Sequence, residues 1–139
     1  MKILITGAAG FIGFSFAKYL LEKDYKIIGL DNLNNYYDVN LKKKRLKQLS
    51  KSNNFKFYKV DLTEKIKIEK IFKNNKIDFI FHFAAQAGVR HSIDHPRKYI
   101  ESNILGFYNL IENVKNYNIK RLFYASSSSV YGENKNFPL

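Results

Sequence analysis

The chain has 139 residues, 45% hydrophobic and 16% aromatic, enough to fill the core of one compact domain. With no cysteine it can form neither a disulfide framework nor a thiolate metal site, and its three histidines, His82, His91 and His95, do not make a metal signature, so no metal is expected. The formal net charge of +12 raises nucleic acid as a partner, but no nucleic-acid-binding motif accompanies it and Lys and Asn are spread along the whole chain, so the charge reads as solvated surface.

The opening stretch, MKILITGAAGFIG, carries the first functional signal. Residues 2–6 form a short apolar run that predicts a buried parallel strand. Gly7, Gly10 and Gly13 then let the backbone turn sharply. From Phe11 the spacing becomes helical, with Phe11, Ile12, Phe14, Ala17, Leu20 and Leu21 as an apolar stripe ending near Lys23 and Asp24. First-turn amides of such a helix lack partners and sit at the positive end of its dipole, which suits a pyrophosphate. The Gly-x-x-Gly-x-x-Gly spacing is one residue longer at its first gap than the commoner dinucleotide fingerprint. Glycines that only permit close helix packing would give the same triplet. Asp31 adds context: it ends a second apolar run, residues 26–30, at the distance where an acidic residue meets an adenosine ribose. A carboxylate there would accept from ribose hydroxyls and repel a 2′-phosphate, favouring NAD over NADP. The N-terminus has no secretory-leader layout and no apolar run approaches the ~20 residues needed to span a bilayer, so a soluble cytoplasmic protein is expected.

Residues 42–51, KKKRLKQLSK, are the densest basic stretch; interleaved with Leu41, Leu46 and Leu49, they predict the solvated face of an amphipathic helix. A third strand follows over residues 55–60 and runs into Asp61 and Leu62. Thr63 is placed as the cap of a helix over 65–72 that turns Ile66, Ile68, Ile71 and Phe72 inward. Residues 77–83 are nearly all apolar and predict a central strand, which runs into Ala84 and Ala85. Small residues at that edge either admit a flat ligand or pack under a helix. Pro96 suits the first turn of a long helix reaching about Tyr117, with Tyr99, Ile100, Ile104, Phe107, Leu110, Ile111 and Val114 on its apolar face. Asn103 interrupts that face, either as a packing bond to a neighbouring loop or as a ligand. A last strand over 121–125 meets Ser126 to Ser129, whose hydroxyls can bond a ligand oxygen or cap turns. Strands and helices alternate throughout, which favours a parallel sheet.

The segments TGAAGFIG, DNLNNYYDVNLKKKRL, HFAAQAGVRHSIDHP and ASSSSVYG, with the Asn103 helix, occur in an order and spacing that resembles the extended short-chain dehydrogenase/reductase family of nucleotide-sugar epimerases and dehydratases. DNLNNYYD and AAQAGVR most resemble its UDP-glucuronate 4-epimerase branch. The resemblance covers essentially the whole chain. It implies a fold class of α/β, a Rossmann-like doubly wound parallel sheet with helices on both faces, truncated, and NAD as cofactor. It places Phe11 and Ile12 over the pyrophosphate with Gly7, Gly10 and Gly13, and Asp31, Asn32 and Asn35 around the adenosine ribose. Asp61 and Leu62 would hold the adenine edge. Phe83, Ala84, Ala85, Gln86 and Ala87 would line the nicotinamide-ribose side with Asn103 behind them. Ser127 matches the catalytic Ser/Thr that bonds the sugar hydroxyl being oxidised, with Ser126 and Ser128 one residue away on either side; Arg90 and Ser92 fall where the family approaches its substrate.

The family's base, a tyrosine in a Tyr-x-x-x-Lys helix after the serine strand, has no counterpart here. Tyr19 to Lys23 and Tyr131 to Lys135 match the string but not its place. Residues 1–139 are therefore expected to be the NAD-binding Rossmann domain of a longer enzyme, without the catalytic helix and the C-terminal substrate domain, and the coding sequence past Leu139 is expected to supply both. The intact enzyme would oxidise and re-reduce C4 of a UDP-sugar and form a homodimer, with no membrane or nucleic-acid partner. This chain alone is expected to be inactive. The alternatives are a stand-alone NAD-binding module without catalysis and a fragment of a related nucleotide-sugar dehydratase. Loss of neighbours for the central strand and the serine strand is expected to leave an aggregation-prone edge.

Overall fold

A computed structural model describes residues 1–134. Five parallel strands form one sheet in the order β3-β2-β1-β4-β5: β1 is Lys2–Thr6, β2 Lys26–Asp31, β3 Phe55–Lys59, β4 Phe79–His82 and β5 Arg121–Tyr124. Three longer helices cross between the first four strands, α1 over Phe11–Leu21, α2 over Val39–Leu49 and α3 over Lys65–Lys73. Between β4 and β5 the chain forms α4 (Val89–Asp94), α5 (Pro96–Tyr99), a π-helical segment (Ile100–Leu105) and α6 (Gly106–Asn116). A 3₁₀ turn, Ser128–Tyr131, follows β5.

The alternation of side chains along a strand explains why both faces are apolar. Ile3, Ile5 and Ile27 point to one face and pack against Ala17 and Leu20 of α1 and Leu46 and Leu49 of α2. Leu4, Ile28, Leu30 and Ile80 point to the other and pack against Ile68, Ile71 and Phe72 of α3 and Leu110 of α6. Full burial of each such side chain contributes about 1.5–3 kcal/mol before entropy is counted. The expected doubly wound sheet with helices on both faces is present. The strand order reverses between β1 and β4, which is where sheets of this kind open a crevice at their carboxyl edge.

Several local expectations are corrected. Phe11, Ile12 and Ile66 are exposed rather than inward; the α1 core stripe is Gly13, Ala17 and Leu20. Lys42 is buried and Leu41 exposed, so the basic stretch does not lie wholly on a solvated face. Thr63 does not cap α3: its N–H and hydroxyl both donate to Asp61 Oδ1, at 2.9 and 2.7 Å, and Glu64 is the N-cap. The predicted long helix changes to a π turn at Ile100–Leu105, and on its apolar face Ile100, Ile104 and Ile111 are exposed while Leu110 is buried. The strand β4 has both neighbours, β1 and β5, so only β5 and β3 are edges. Among the described residues no helix is long and apolar enough to cross a membrane.

Candidate functional site

The glycine turn takes its shape from two close approaches. Gly7 has φ +69°, in the left-handed region that favours glycine, and a Cβ there would lie 2.8 Å from the Ala84 amide nitrogen. The chain then closes on itself, with Gly10 N–H donating to the Gly7 carbonyl at 2.9 Å, and α1 begins. Gly13 brings α1 so near the turn that a Cβ would sit 2.2 Å from the Gly7 oxygen. Helix packing therefore accounts for Gly13, and backbone conformation for Gly7. The start of α1 carries no acidic residue in its first turn, and Gly10 offers no side-chain cap. Its positive end stays open beside a cleft of about 690 Å³, counting the mouth, at the carboxyl ends of β1, β2, β3 and β4.

Thr6, at the end of β1, ties the turn to β4. Its Oγ1 accepts from the Phe83 and Ala84 N–H groups at 3.2 and 3.1 Å, so its own proton goes to His82 Nδ1, 2.7 Å away. His82 is buried and stacked on Phe107, ring centroids 5.0 Å apart. Burial pushes its imidazole down to about 4 from the ordinary 6.5. Between those values the unfolded chain binds the proton first, so stability is full above pH 6.5 and is lost as pH falls towards 4, by on the order of 3 kcal/mol. Urea-unfolding midpoints should fall across this window in the wild type and stay flatter in His82→Gln; parallel profiles would contradict the assignment.

Asp31 closes β2 and is engaged at both oxygens, Oδ2 accepting from Ala9 N–H at 3.0 Å and Oδ1 from Leu33 N–H at 2.8 Å. A carboxylate has about four acceptor positions, so lone pairs remain for further donors. Asn32 Nδ2 donates to Asp61 Oδ2 at 2.6 Å, which joins the ends of β2 and β3. Burial pushes the Asp61 carboxyl up, but the bonds from Asn32 and Thr63 outweigh it and hold it below the usual value. On the far side, Asn109 Nδ2 donates to Leu62 O at 2.8 Å, and Gly106 permits that approach because a Cβ would lie 2.9 Å from Leu62 Cβ.

The cleft brings together most of the predicted cofactor residues. Gly7, Gly10, Asp31, Asn32, Asp61 and Leu62 line it, as do Phe83, Ala84, Ala85 and Gln86. Asn35 lines an adjoining cavity with His91 and Lys98. Asn103 stands behind the loop, its Oδ1 accepting from Gln86 N–H at 2.7 Å and its Nδ2 donating to Gln86 O at 3.0 Å, a packing bond to the neighbouring loop. Phe11 and Ile12 are exposed on the first turn of α1, and Ala87 is exposed with its carbonyl accepting from Tyr99 OH at 2.7 Å. Arg90 and Ser92 lie on α4, outside the cleft lining, and Ser92 Oγ donates to Val89 O at 2.6 Å. Ser127 is exposed after β5 and does not line the cleft; its Oγ accepts from Ser129 N–H at 3.2 Å. Tyr19, on α1, is exposed with Lys23 5.9 Å from its ring, and Tyr131 ends the 3₁₀ turn, while Lys135 lies outside the described residues.

Sequence reasoning missed Thr6, Asn34, Tyr36, Tyr37, Lys42 and Ser102, all of which line the cleft. Lys42 Nζ donates to Asn34 O and Oδ1 at 2.9 and 2.7 Å and lies 4.5 Å from the Tyr37 ring centroid. Burial lowers its pKa, with Asp31 pulling the other way and Arg45 adding to the lowering. Its signal was present: Lys42, Leu46 and Leu49 share i, i+4, i+7 spacing, which puts the lysine on the buried stripe. Among the described residues no group of three or more acidic, His or Cys side chains is placed to hold a metal ion.

A glycine turn at β1, a carboxylate closing β2 and a cleft at the reversal of strand order define a Rossmann-like fold of the nucleotide-binding type. The chain belongs to the GDP-mannose 4,6 dehydratase family, whose model matches residues 4–139. It is 51% identical over 138 residues to protein CapI of Staphylococcus aureus, covering 99% of this chain and 41% of that protein. To the UDP-glucuronate 4-epimerase of Thermodesulfobacterium geofontis it is 47% identical over 128 residues, covering 92% and 40%. Its fold matches the UDP-glucuronic acid 4-epimerase of Bacillus cereus, solved in complex with UDP-glucuronic acid and NAD, with a TM-score of 0.89 and 33% identity over 98% of this chain and 43% of that one. The chain thus spans about two-fifths of the length of these relatives.

Proposed function

We propose that this chain is the NAD-binding part of a nucleotide-sugar 4-epimerase acting on UDP-glucuronate. The observation that carries the proposal is the uncapped, acid-free start of α1 set over Gly7 and Gly10 and facing the Asp31 end of β2. That arrangement suits a diphosphate next to a ribose. Bound NAD would supply a reversible acceptor for the hydride at C4 of the sugar. The chain's own residues would bind and orient. The turn and the Phe11 and Ile12 amides would take the diphosphate, and Asp31, Asn32 and Asn35 the adenosine ribose. Asp61 and Leu62 would hold the adenine edge. Phe83 to Ala87, braced by Asn103, would line the nicotinamide-ribose side. Ser127 would bond the sugar hydroxyl, with Arg90 and Ser92 towards the substrate.

We take residues 1–139 as one NAD-binding domain, the general base and the substrate-gripping lobe belonging to the remaining three-fifths of a relative's length. On this view the chain alone does not turn over substrate. A homodimer of the longer enzyme fits the exposed Ile100, Ile104, Tyr108 and Ile111, which recur at helical spacing. The proposal includes a cytoplasmic location, where both a nucleotide sugar and a dinucleotide would be available. The test is a chimera of this chain with the C-terminal portion of the Thermodesulfobacterium enzyme, assayed with UDP-glucuronate. Formation of the 4-epimer, lost in Ser127→Ala, is expected. A folded chimera that binds NAD but forms no epimer would contradict the epimerase assignment and favour a stand-alone binding module.

A further inference from the structure

The Ala9 peptide, at the centre of the glycine turn, is held from two sides. Its N–H donates to Asp31 Oδ2 at 3.0 Å. Its carbonyl accepts from Arg45 Nη1 at 3.2 Å and, more weakly, from Tyr37 OH at 3.5 Å, and the same Arg45 nitrogen donates to the Tyr37 oxygen at 3.1 Å. The Arg45 guanidinium carbon lies 5.9, 6.0 and 6.0 Å from the ring centroids of Phe11, Phe14 and Tyr37, so the cation is wedged beside the first turn of α1. A helix start is already positive, and a second cation there is unfavourable unless an anion joins them. Tyr37, on the loop before α2, lines the cleft, whereas Arg45 on α2 stands outside that lining and reaches the turn only through its guanidinium. Their polar contacts converge on one carbonyl of the turn.

We propose that Arg45 and Tyr37 are positioning residues that fix the β1–α1 turn in the shape that receives a dinucleotide's diphosphate, acting through the Ala9 carbonyl. This rests on the cofactor assignment above. A purely structural clamp would alter stability alone, whereas a positioning clamp discriminates between ligands with and without the diphosphate.

The test measures Kd for NAD and for adenosine with the wild-type chain, Arg45→Ala, Arg45→Lys and Tyr37→Phe. Arg45→Ala should weaken NAD about tenfold and adenosine less than about twofold, since adenosine reaches only the β2 and β3 ends. Arg45→Lys keeps the charge but loses the planar fork and should not rescue. Tyr37→Phe keeps the ring and should weaken NAD by roughly two- to threefold, which preserves the test where Arg45→Ala fails to fold. Wild-type binding with Arg45 variants unchanged, with equal losses for both ligands, or with full rescue by Lys would overturn the clamp and leave the cofactor assignment standing. Absence of NAD binding by the wild type would overturn both.

Discussion

Gly13→Ala is expected to lower the thermal midpoint by roughly 10 °C and to abolish NAD binding. The added Cβ would stand 2.2 Å from the Gly7 carbonyl oxygen and 2.8 Å from its carbon, both backbone atoms that no rotamer change can move. Relief requires α1 to lift off the turn, which separates Ala17 and Leu20 from the Ile3 and Ile5 face of the sheet. Forcing atoms into a filled site costs about 1–3 kcal/mol, and a backbone clash belongs at the upper end; in a chain of this size that is on the order of 10 °C. Gly10→Ala provides a graded comparison, because its Cβ would meet the same oxygen at 3.0 Å and a few tenths of an ångström of adjustment suffice. Melting followed by circular dichroism should therefore rank wild type, Gly10→Ala and Gly13→Ala in falling order. An unshifted Gly13→Ala would refute the packing described for α1.

Thr6→Val should cost about 3 kcal/mol although it preserves shape, because the lost hydroxyl serves three partners at once. The Ala84 N–H would lose its acceptor, Phe83 N–H would keep only a 3.3 Å contact to the Thr6 carbonyl, and His82 Nδ1 would lose its donor. The Thr6–His82 pair is buried, where a missing partner is not replaced by bulk water, while the Phe83 and Ala84 amides are part-buried at the cleft. Thr6→Ser restores the hydroxyl and should recover most of the loss. Urea unfolding with an unchanged slope and a lowered midpoint for Val, but not Ser, is the expected pattern. Equal midpoints for all three would show that the hydroxyl does not hold β1 to the Phe83–Ala84 edge.

The sheet was legible because β1 and β2 are short, Ile-rich runs apolar on both faces and bounded by turn residues, a pattern that suits a covered parallel strand. The glycine turn and Asp31 were legible for a related reason: few residue types permit that turn, and a carboxylate closing an apolar strand is conspicuous. Failures came where tertiary contacts decide. The π segment exists where Asn103 pairs with both backbone groups of Gln86, a contact spanning 17 residues that helical periodicity does not contain. Phe11 and Ile12 fit an apolar stripe by spacing, yet on the first turn of α1 both are exposed, and the buried stripe is Gly13, Ala17 and Leu20. Lys42 was assigned to solvent by its charge, while its position on the stripe with Leu46 and Leu49 put it under the Asn34 loop. Thr63 carried a helix-cap signal, and the stronger acceptor Asp61, two residues away, took its hydroxyl.

The same competition explains why the predicted site is only partly gathered. Residues at strand ends, Gly7, Asp31, Asp61 and Ala84 among them, are placed by the sheet itself and converge on one cleft. Ser127 follows the edge strand β5, whose Phe123 and Tyr124 are exposed, and among the described residues it is exposed and outside the cleft lining. Its proposed role depends on what lies against β5 in a longer enzyme, which the chimera addresses.

Isothermal titration of the chain with NAD and with NADP tests the central claim most directly. Saturable one-to-one binding of NAD is predicted, with NADP weaker by at least about tenfold, because on the proposed assignment the Asp31 carboxylate would meet the adenosine ribose and repel a 2′-phosphate. No detectable NAD binding by folded chain, or equal affinity for the two dinucleotides, would contradict the account.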